Sequence, residues 1–334
     1  MNTNHPDRFS GTLINPTPPP EAGVTQLKGS LAAIAPAAGS VATRDLLHGR
    51  MLEKYAVPGS ELPTFTEMKP EANTLKTYRL GNVELRQSST RDHQDGVAYN
   101  PRTETIAVTD GMGGVGNPGD VKNYFGFALA HAVAAEVEDV STLQNPESMH
   151  AVIERTKELL AHMGIHPEAE VGSELFSGGW GAGRNIEWGA TLAVMQKVPG
   201  TENEWRVAIF GDASVVKLGR DGKIQEGFGE CFQLIDRGRV KADGRAEEVT
   251  LGSYVGVAKR TLGAFVQYRA GGLAATFGTV RLAPGEKLAA TSDAYIQKTS
   301  PATLETDAKL TNEEWAAKAP QYDDDTTMAV VTGA

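Results

Sequence analysis

Thr105-Ile106-Ala107-Val108-Thr109-Asp110-Gly111-Met112-Gly113-Gly114-Val115-Gly116 is an apolar run that ends in one carboxylate and then a backbone almost bare of side chains. The run from Thr105 has strand composition, and a long helical pattern, Val121 to Glu138, follows the glycines. A carboxylate at a strand end beside glycines suggests a charged ligand brought close to the main chain, either a metal ion or a phosphate. Gly111 to Gly116 spells G-x-G-x-x-G, which would seat a pyrophosphate at the helix N-terminus. Such a unit needs a second strand after the helix, ending in an acid about 20 residues on. Here a second amphipathic helix follows instead, opening at Asn145-Pro146-Glu147 as cap, first-turn proline and acid. No strand is expected before Ala190, so the dinucleotide reading fails on its context.

Outward from this stretch, Thr77 to Ser88 and Glu104 to Thr109 read as strands around the polar segment Ser89 to Asn100. The second helix shows Met149, Val152, Ile153, Thr156, Leu159, Leu160 and Met163 on one face, and Gly164 stops it. A glycine-rich loop, Gly172 to Gly189, leads into strands at Ala190 to Val198, Trp205 to Phe210 and Ser214 to Leu218. Pro199-Gly200 and Asp221-Gly222 are the turn signals there. Phe228 to Tyr254 has no clear period, and a short helix is expected at Val255 to Leu262. Thr279 to Leu282 and Lys287 to Thr291 suggest a hairpin over Ala283-Pro284-Gly285-Glu286. Thr311 to Ala319 reads as a short helix and Thr326 to Val331 as a last strand. Consecutive strands on short turns imply antiparallel sheets, and a helix pair between strands implies helices on a sheet face. The fold class is α+β and layered, not doubly wound.

Residues 1–75 are Pro- and Ala-rich, with one helical piece plausible at Thr43 to Tyr55. They are expected to form a largely disordered or weakly docked tail, leaving residues 76–334 for one large core. The formal net charge of −10 argues against a nucleic-acid surface. The single cysteine, Cys231, excludes an intrachain disulfide and a cysteine-based zinc site, and reads as a packing residue. No apolar run is long enough to span a membrane, and Met1 to Ser10 lacks a signal-peptide core. A cytoplasmic monomer is the default expectation.

The stronger pattern is a set of aspartates at strand ends. Asp95 sits just before a strand, Asp110 ends Ile106 to Thr109, Asp212 ends Val207 to Gly211, and Asp293 ends Leu288 to Ser292. Asp323-Asp324-Asp325 precedes Met328 to Val331. Singly, each is most simply a turn aspartate. Together they would converge on one sheet rim, where clustered like charges are costly unless a cation neutralises them. Oxygen-only donors favour Mg²⁺ or Mn²⁺.

These residues resemble the motifs of the metal-dependent protein Ser/Thr phosphatases of type 2C, in the family's order, from Leu80 to Thr332. Arg91 to Asp95 is similar to the first motif, and Thr109-Asp110-Gly111-Met112-Gly113-Gly114 to the bacterial spelling of the central metal motif. Gly189-Ala190-Thr191 resembles a Gly-Thr-Thr strand, and Phe210-Gly211-Asp212 a Gly-Asp-Ser motif. Thr291-Ser292-Asp293 resembles Ser-Asp-Gly, and Asp324-Asp325-Thr326-Thr327 the last metal motif. The chain departs from the pattern at Ala213-Ser214, at Ala294 in place of a glycine, and in the spacing of Arg91 from Asp95.

The resemblance implies a four-layer α/β/β/α sandwich of two antiparallel sheets flanked by helix pairs. It implies hydrolysis of phosphoserine and phosphothreonine in a phosphorylated protein substrate, with two Mn²⁺ or Mg²⁺ ions and a third, weaker one. Asp110, Asp293 and Asp324 would hold the first metals, with the Gly111 carbonyl as a further ligand and Asp95 either a direct ligand or in the layer just behind them. Asp212 would serve the third ion, and Arg91 would grip the phosphate, with Arg86 as the alternative arginine and Asp323 as the alternative last ligand. His93 is a candidate proton donor, and His131 reads as a helix-face residue. Two hard cations about 3.5–4 Å apart bridge a water and lower its pKa, and in-line attack then needs positioning and charge neutralisation more than a covalent nucleophile. The rival implication is a regulatory phosphoprotein-binding module on the same fold, without catalysis.

Overall fold

The computed structural model describes residues 74–89, 95–111, 124–163, 165, 186–247, 253–258, 264–268, 275–319, 322 and 324–334. The expected tail, its helical piece at Thr43 to Tyr55, and the Gly164 stop lie outside these residues. The first described strand, β1 (Thr74–Leu80), begins just ahead of the expected domain start and turns at Gly81-Asn82 into β2 (Val83–Ser89). The single strand expected over Thr77 to Ser88 is therefore a hairpin. Gly81 takes φ of 60°, a left-handed value that glycine adopts without a Cβ penalty.

β3 (Gly96–Asn100) and β4 (Thr105–Gly111) follow, then α1 (Tyr124–Glu136), a 3₁₀ turn (Val140–Gln144) and α2 (Pro146–His162). The expected polar segment thus contains a buried strand, β3. Its polar ends are satisfied: Asn100 Nδ2 donates to the Ala134 carbonyl at 2.9 Å. The Asn145 side chain caps α2, accepting from the Glu147 amide at 2.9 Å.

β5 (Ile186–Lys197), β6 (Glu204–Phe210), β7 (Ser214–Leu218) and β8 (Ile224–Phe228) come next, then α3 (Glu230–Asp236). β9 (Ser253–Ala258) and β10 (Ala264–Tyr268) form an antiparallel pair where a helix over Val255 to Leu262 was expected. The alternation Tyr254, Val255, Gly256, Val257 suits an extended, sheet-paired chain better than a helix, because β-branched residues and glycine both disfavour helix. The chain closes with β11 (Thr276–Arg281), β12 (Lys287–Thr291), a 3₁₀ turn (Asp293–Tyr295), α4 (Pro301–Asp307), α5 (Asn312–Lys318) and β13 (Thr326–Thr332). A capping box at Thr311 and Glu314 starts α5.

Among the described residues all strand pairings are antiparallel. The six-stranded sheet runs β1-β2-β13-β12-β7-β8, and the seven-stranded sheet β10-β9-β5-β4-β3, with β6 pairing β5 and β11. β11 and β12 are not a hairpin. β11 pairs β6 in one sheet, while β12 lies between β7 and β13 in the other. The turn between them is locally well bonded, with Glu286 N donating to the Ala283 carbonyl at 2.9 Å, yet it carries the chain from sheet to sheet.

Three apolar clusters define the layers. One packs Phe125, Leu129, Val133, Ile153 and Leu160 of α1 and α2 onto Leu192, Val194 and Phe210 of the seven-stranded sheet. A second joins the inner faces of both sheets, with Val97, Ile106, Val108, Ile209, Val215, Leu288 and Val331. The third sets Phe232, Leu304 and Trp315 on the outer face of the six-stranded sheet, against Val216, Ala289 and Val330. The resulting order is helix, sheet, sheet, helix, with the α1–α2 pair on one side and, among the described residues, the short helices α3, α4 and α5 on the other. Among the described residues no helix is long and apolar enough to cross a membrane.

Candidate metal centre

Antiparallel pairing brings the aspartates together. Asp110 lies at the C-terminal end of β4, and Asp95 immediately precedes β3; Gly96 pairs with Thr109, so both acids fall on one rim of the seven-stranded sheet. Asp293 follows β12 and Asp324 precedes β13, and Thr291 pairs with Met328, placing these acids on one rim of the other sheet. Asp212 sits in the turn from β6 to β7, where the chain passes between sheets, and Ser214 pairs with Thr291. Gly211 supplies the left-handed φ of 81° that this turn requires. Gly111 is the last residue of β4, paired with Ala190, and Asp110 is opposite Thr191.

Close packing fixes the β3–β4 end of the rim. A Cβ on Gly96 would lie 2.6 Å from Phe127 Cα, so the α1 backbone rests directly on this strand. Thr109 Oγ1 donates to the Gly126 carbonyl at 2.6 Å, and Gln87 Nε2 donates to the Asp95 carbonyl at 2.9 Å. At the β12–β13 end, Ser292 N donates to the Thr327 carbonyl at 3.1 Å, and Thr327 N donates to Ser292 Oγ at 3.2 Å.

The carboxylates feel one another. Burial, then the charges of Asp293, Asp95, Asp212 and Asp324, raise the Asp110 carboxyl well above its ordinary range. Asp95 is raised by burial and by Asp325 and Asp324, against partial relief from the Thr327 and Ser292 hydroxyls. Asp212 is raised by burial, Asp293 and Glu230, while Gln297 Nε2, donating to Asp212 Oδ2 at 2.8 Å, opposes the shift. Asp293 is raised by burial, with Lys298 and a bond from Asp110 pulling it back. Asp324 is pushed up to about 6 by burial first and Asp293 second. The Lys298 ammonium, half exposed, stands 3.9 Å from Asp324 Oδ2 and offsets part of this charge.

The same rim holds buried hydroxyl oxygens with no hydrogen-bond partner, Thr191 Oγ1 and Thr291 Oγ1. Buried polar atoms are rarely left so. Carboxylates driven together, orphaned oxygens beside them, and an oxygen-only donor set are what a hard divalent cation would satisfy. Asp110, Asp212, Asp293 and Asp324 are only partly buried, which leaves an approach from solvent. Among the described residues, no three carboxylate, imidazole or thiolate groups stand in a ready-made ligand arrangement. The acids are within range of one another's charge without forming a closed shell.

Of the other expected residues, Arg91, His93 and Asp323 lie outside the described ones. Arg86 does not face the rim. It is 0% exposed and donates to Asn312 Oδ1 at 2.9 Å, to the Asp307 carbonyl at 2.8 Å, and to the Leu310 carbonyl and Glu84 Oε2, each at 2.6 Å. His131 is buried in α1 with its ring edge-on to Phe127 at 4.8 Å. Cys231 is buried and donates its thiol to the Asp212 carbonyl at 3.3 Å, and burial pushes that thiol well up. Ala294 fits where a glycine was expected, because residues 293–295 form a 3₁₀ turn that any residue can take. Gln297, which bonds both Asp212 and Cys231 Sγ, belongs to no motif and was not anticipated.

No family model and no curated protein matches the chain. Its fold is similar to solved structures of bacterial phosphatases. The serine/threonine phosphatase PstP/Ppp of Mycobacterium tuberculosis is 17% identical with a TM-score of 0.44, the match covering 77% of this chain and 98% of that one. PppA of Pseudomonas aeruginosa, described as a key regulatory component of T6SS, is 14% identical with a TM-score of 0.44, covering 79% and 99%. The serine/threonine phosphatase Stp1 of Staphylococcus aureus is 12% identical with a TM-score of 0.42, covering 83% and 100%. At these values the similarity lends no weight to a role for any residue, and the reading of the site stands on the aspartates themselves.

Proposed function

We propose that this chain is a metal-dependent protein serine/threonine phosphatase of the type 2C kind, with residues 76–334 as its catalytic domain and residues 1–75 as a tail. One observation carries the reading: aspartates from both sheets meet at one rim, raised in pKa by burial and then by one another, with the unpartnered buried hydroxyls of Thr191 and Thr291 beside them. Asp110, Asp293 and Asp324, with the Gly111 carbonyl, are the proposed ligands of two Mn²⁺ or Mg²⁺ ions. Asp95 lies beside them, and Asp212 is the proposed ligand of a third, weaker ion. When bound, such ions supply a nucleophilic hydroxide from water and neutralise phosphoryl charge.

The chain's own residues do the rest. Asp95, buried to 3% exposure and held through its backbone by Gln87, fixes the inner wall of the site. Gln297 orients Asp212. Lys298 places a positive charge at the open side, where an incoming phosphate monoester arrives, and Arg91 is the proposed phosphate clamp. No serine or cysteine nucleophile is required. The test is hydrolysis of p-nitrophenyl phosphate and of a phosphothreonine peptide, with Mn²⁺ and with EDTA. Turnover that needs Mn²⁺ and disappears in Asp110→Ala supports the proposal, and an Asp110→Ala protein with full metal-dependent turnover refutes it.

A second reading, a phosphoprotein-binding module without catalysis, is favoured by the open arrangement of the described acids and by Ala213-Ser214 following Asp212. A phosphopeptide that binds, with no turnover at saturating Mn²⁺, would select it.

A further inference from the structure

Beneath the aspartate rim, on the helix side of the six-stranded sheet, lies a buried polar cluster that the proposed chemistry does not use. Its centre is Asp307, the last residue of α4, which is 0% exposed. Tyr295 donates its hydroxyl to Asp307 Oδ2 at 3.3 Å, and Tyr322 donates to the same oxygen. Lys318 of α5 donates to Oδ1. Trp315 Nε1 donates to the Tyr295 hydroxyl at 2.7 Å, and the two tyrosine rings meet edge-on, 6.1 Å apart. From below, Arg86 of β2 binds the Asp307 carbonyl at 2.8 Å.

The position of the two tyrosines along the chain gives the cluster its meaning. Tyr295 closes the 3₁₀ turn that Asp293 opens. Tyr322 immediately precedes the 323–325 segment that carries Asp324. Both segments leave the sheet at the rim, and both are tied back to one carboxylate on α4. Burial first, and Asp307 second, raise both phenols above their ordinary values, so each remains a donor across the working pH range. Nothing else in the cluster has an evident purpose: a buried aspartate bound by two phenols and an ammonium is a costly way to fill space that apolar side chains would occupy well.

We infer that Asp307, acting through Tyr295 and Tyr322, is a positioning residue that sets the spacing of Asp293 and Asp324 and thereby the affinity of the metal centre. It touches neither metal nor substrate. The inference rests on the proposed metal role of those two aspartates. Groups bonded directly to metal ligands typically change metal affinity by about 10–100-fold when removed; Asp307 acts one residue further out, through the two tyrosines, so about 10-fold or somewhat less is expected here.

The test measures Mn²⁺ binding by calorimetry on full-length, EDTA-treated protein, separately from turnover. Asp307→Asn keeps the shape of the side chain but sets an amide donor against a phenol donor, and is expected to weaken Mn²⁺ binding by roughly 5–10-fold, the low end for outer partners of a metal site. Tyr322→Phe removes one bond, leaves the core helices in place, and serves if Asp307→Asn fails to fold; a several-fold loss is expected. Lys318→Met takes an ammonium away from the same carboxylate and from over the Tyr322 ring, 5.8 Å from its centroid, but breaks neither tyrosine–Asp307 bond, and should change Mn²⁺ affinity much less than Tyr322→Phe. Mn²⁺ affinity within twofold of wild type in both Asp307→Asn and Tyr322→Phe would overturn the inference while leaving the metal site intact. Equal losses in Lys318→Met and Tyr322→Phe would overturn it too, as a general loosening. Wild-type protein that binds no Mn²⁺ would sink the functional proposal and this inference together.

Discussion

Replacing Arg86 with methionine separates a structural arginine from a phosphate-binding one. Methionine keeps much of the stem and removes the guanidinium. The side chain is 0% exposed and donates to two carbonyls, one carboxylate and one amide oxygen, with all distances between 2.6 and 2.9 Å. Each orphaned acceptor costs about 1–3 kcal/mol, but the losses overlap, because Glu84 keeps about a fifth of its side-chain surface in water. Breaking one side of a buried ion pair costs about 3–5 kcal/mol, and that is the range expected for Arg86→Met. For a domain of this size about 2–4 °C is lost per kcal/mol, so the melting temperature should fall by roughly 6–20 °C. Differential scanning fluorimetry at neutral pH reads it directly. The refuting result is a variant melting within about 2 °C of wild type with a raised KM for phosphopeptide, which would make Arg86 a substrate ligand. Arg91→Ala, by contrast, should raise KM or lower kcat with little change in melting.

His131 and Gly96 offer two further tests. His131, with a pKa lowered to about 3 by burial, stays neutral in the folded chain, while the unfolded chain takes up the proton near 6.5. Its stabilising contribution is therefore complete above pH 6.5 and is lost as pH falls. The loss reaches roughly 2 kcal/mol by pH 5, so urea denaturation at pH 7 and pH 5 should differ by that much more in wild type than in His131→Phe. Equal pH dependence in the two proteins would contradict this. Gly96→Ala drives a Cβ to 2.6 Å from Phe127 Cα, 2.8 Å from Thr109 Oγ1 and 3.0 Å from the Gly126 carbonyl. Forcing α1 outward should cost about 1–3 kcal/mol and weaken Mn²⁺ binding through Asp95; an unchanged melt and unchanged binding would show that the helix does not rest on β3 as described.

The elements that could be read from sequence are those whose signal is local. β7 has the expected bounds, α2 starts at the expected Asn145 cap, and the acids sit where apolar runs stop, because strand composition and capping are written in neighbouring residues. The failures share a cause in long-range pairing. The segment from Ala283 to Glu286 is a good turn, but only the partners β6 and β13 decide that it joins two sheets. β3 looked like a polar connection because Asn100 finds its partner on α1, which no local pattern reveals. Arg86 looked available for a phosphate because a strand residue's face depends on which sheet neighbour covers it, here α4 and α5. Gln297 and Asp307 had no motif at all; they matter only through what folding sets beside them.

On the proposed function, the strand-end aspartates form a cation site at the expense of the metal-free fold. Thermal melts of wild type and Asp110→Asn, in EDTA and in Mn²⁺, test it most directly. The Asp110 carboxyl is raised by burial first and by the charges of Asp293, Asp95, Asp212 and Asp324 after it, so removing its charge should relieve both the desolvation cost and that repulsion. Asp110→Asn should therefore melt above wild type in EDTA, and Mn²⁺ should raise the melting temperature of wild type but not of the variant. A variant that melts below wild type in EDTA and still responds fully to Mn²⁺ would contradict the claim.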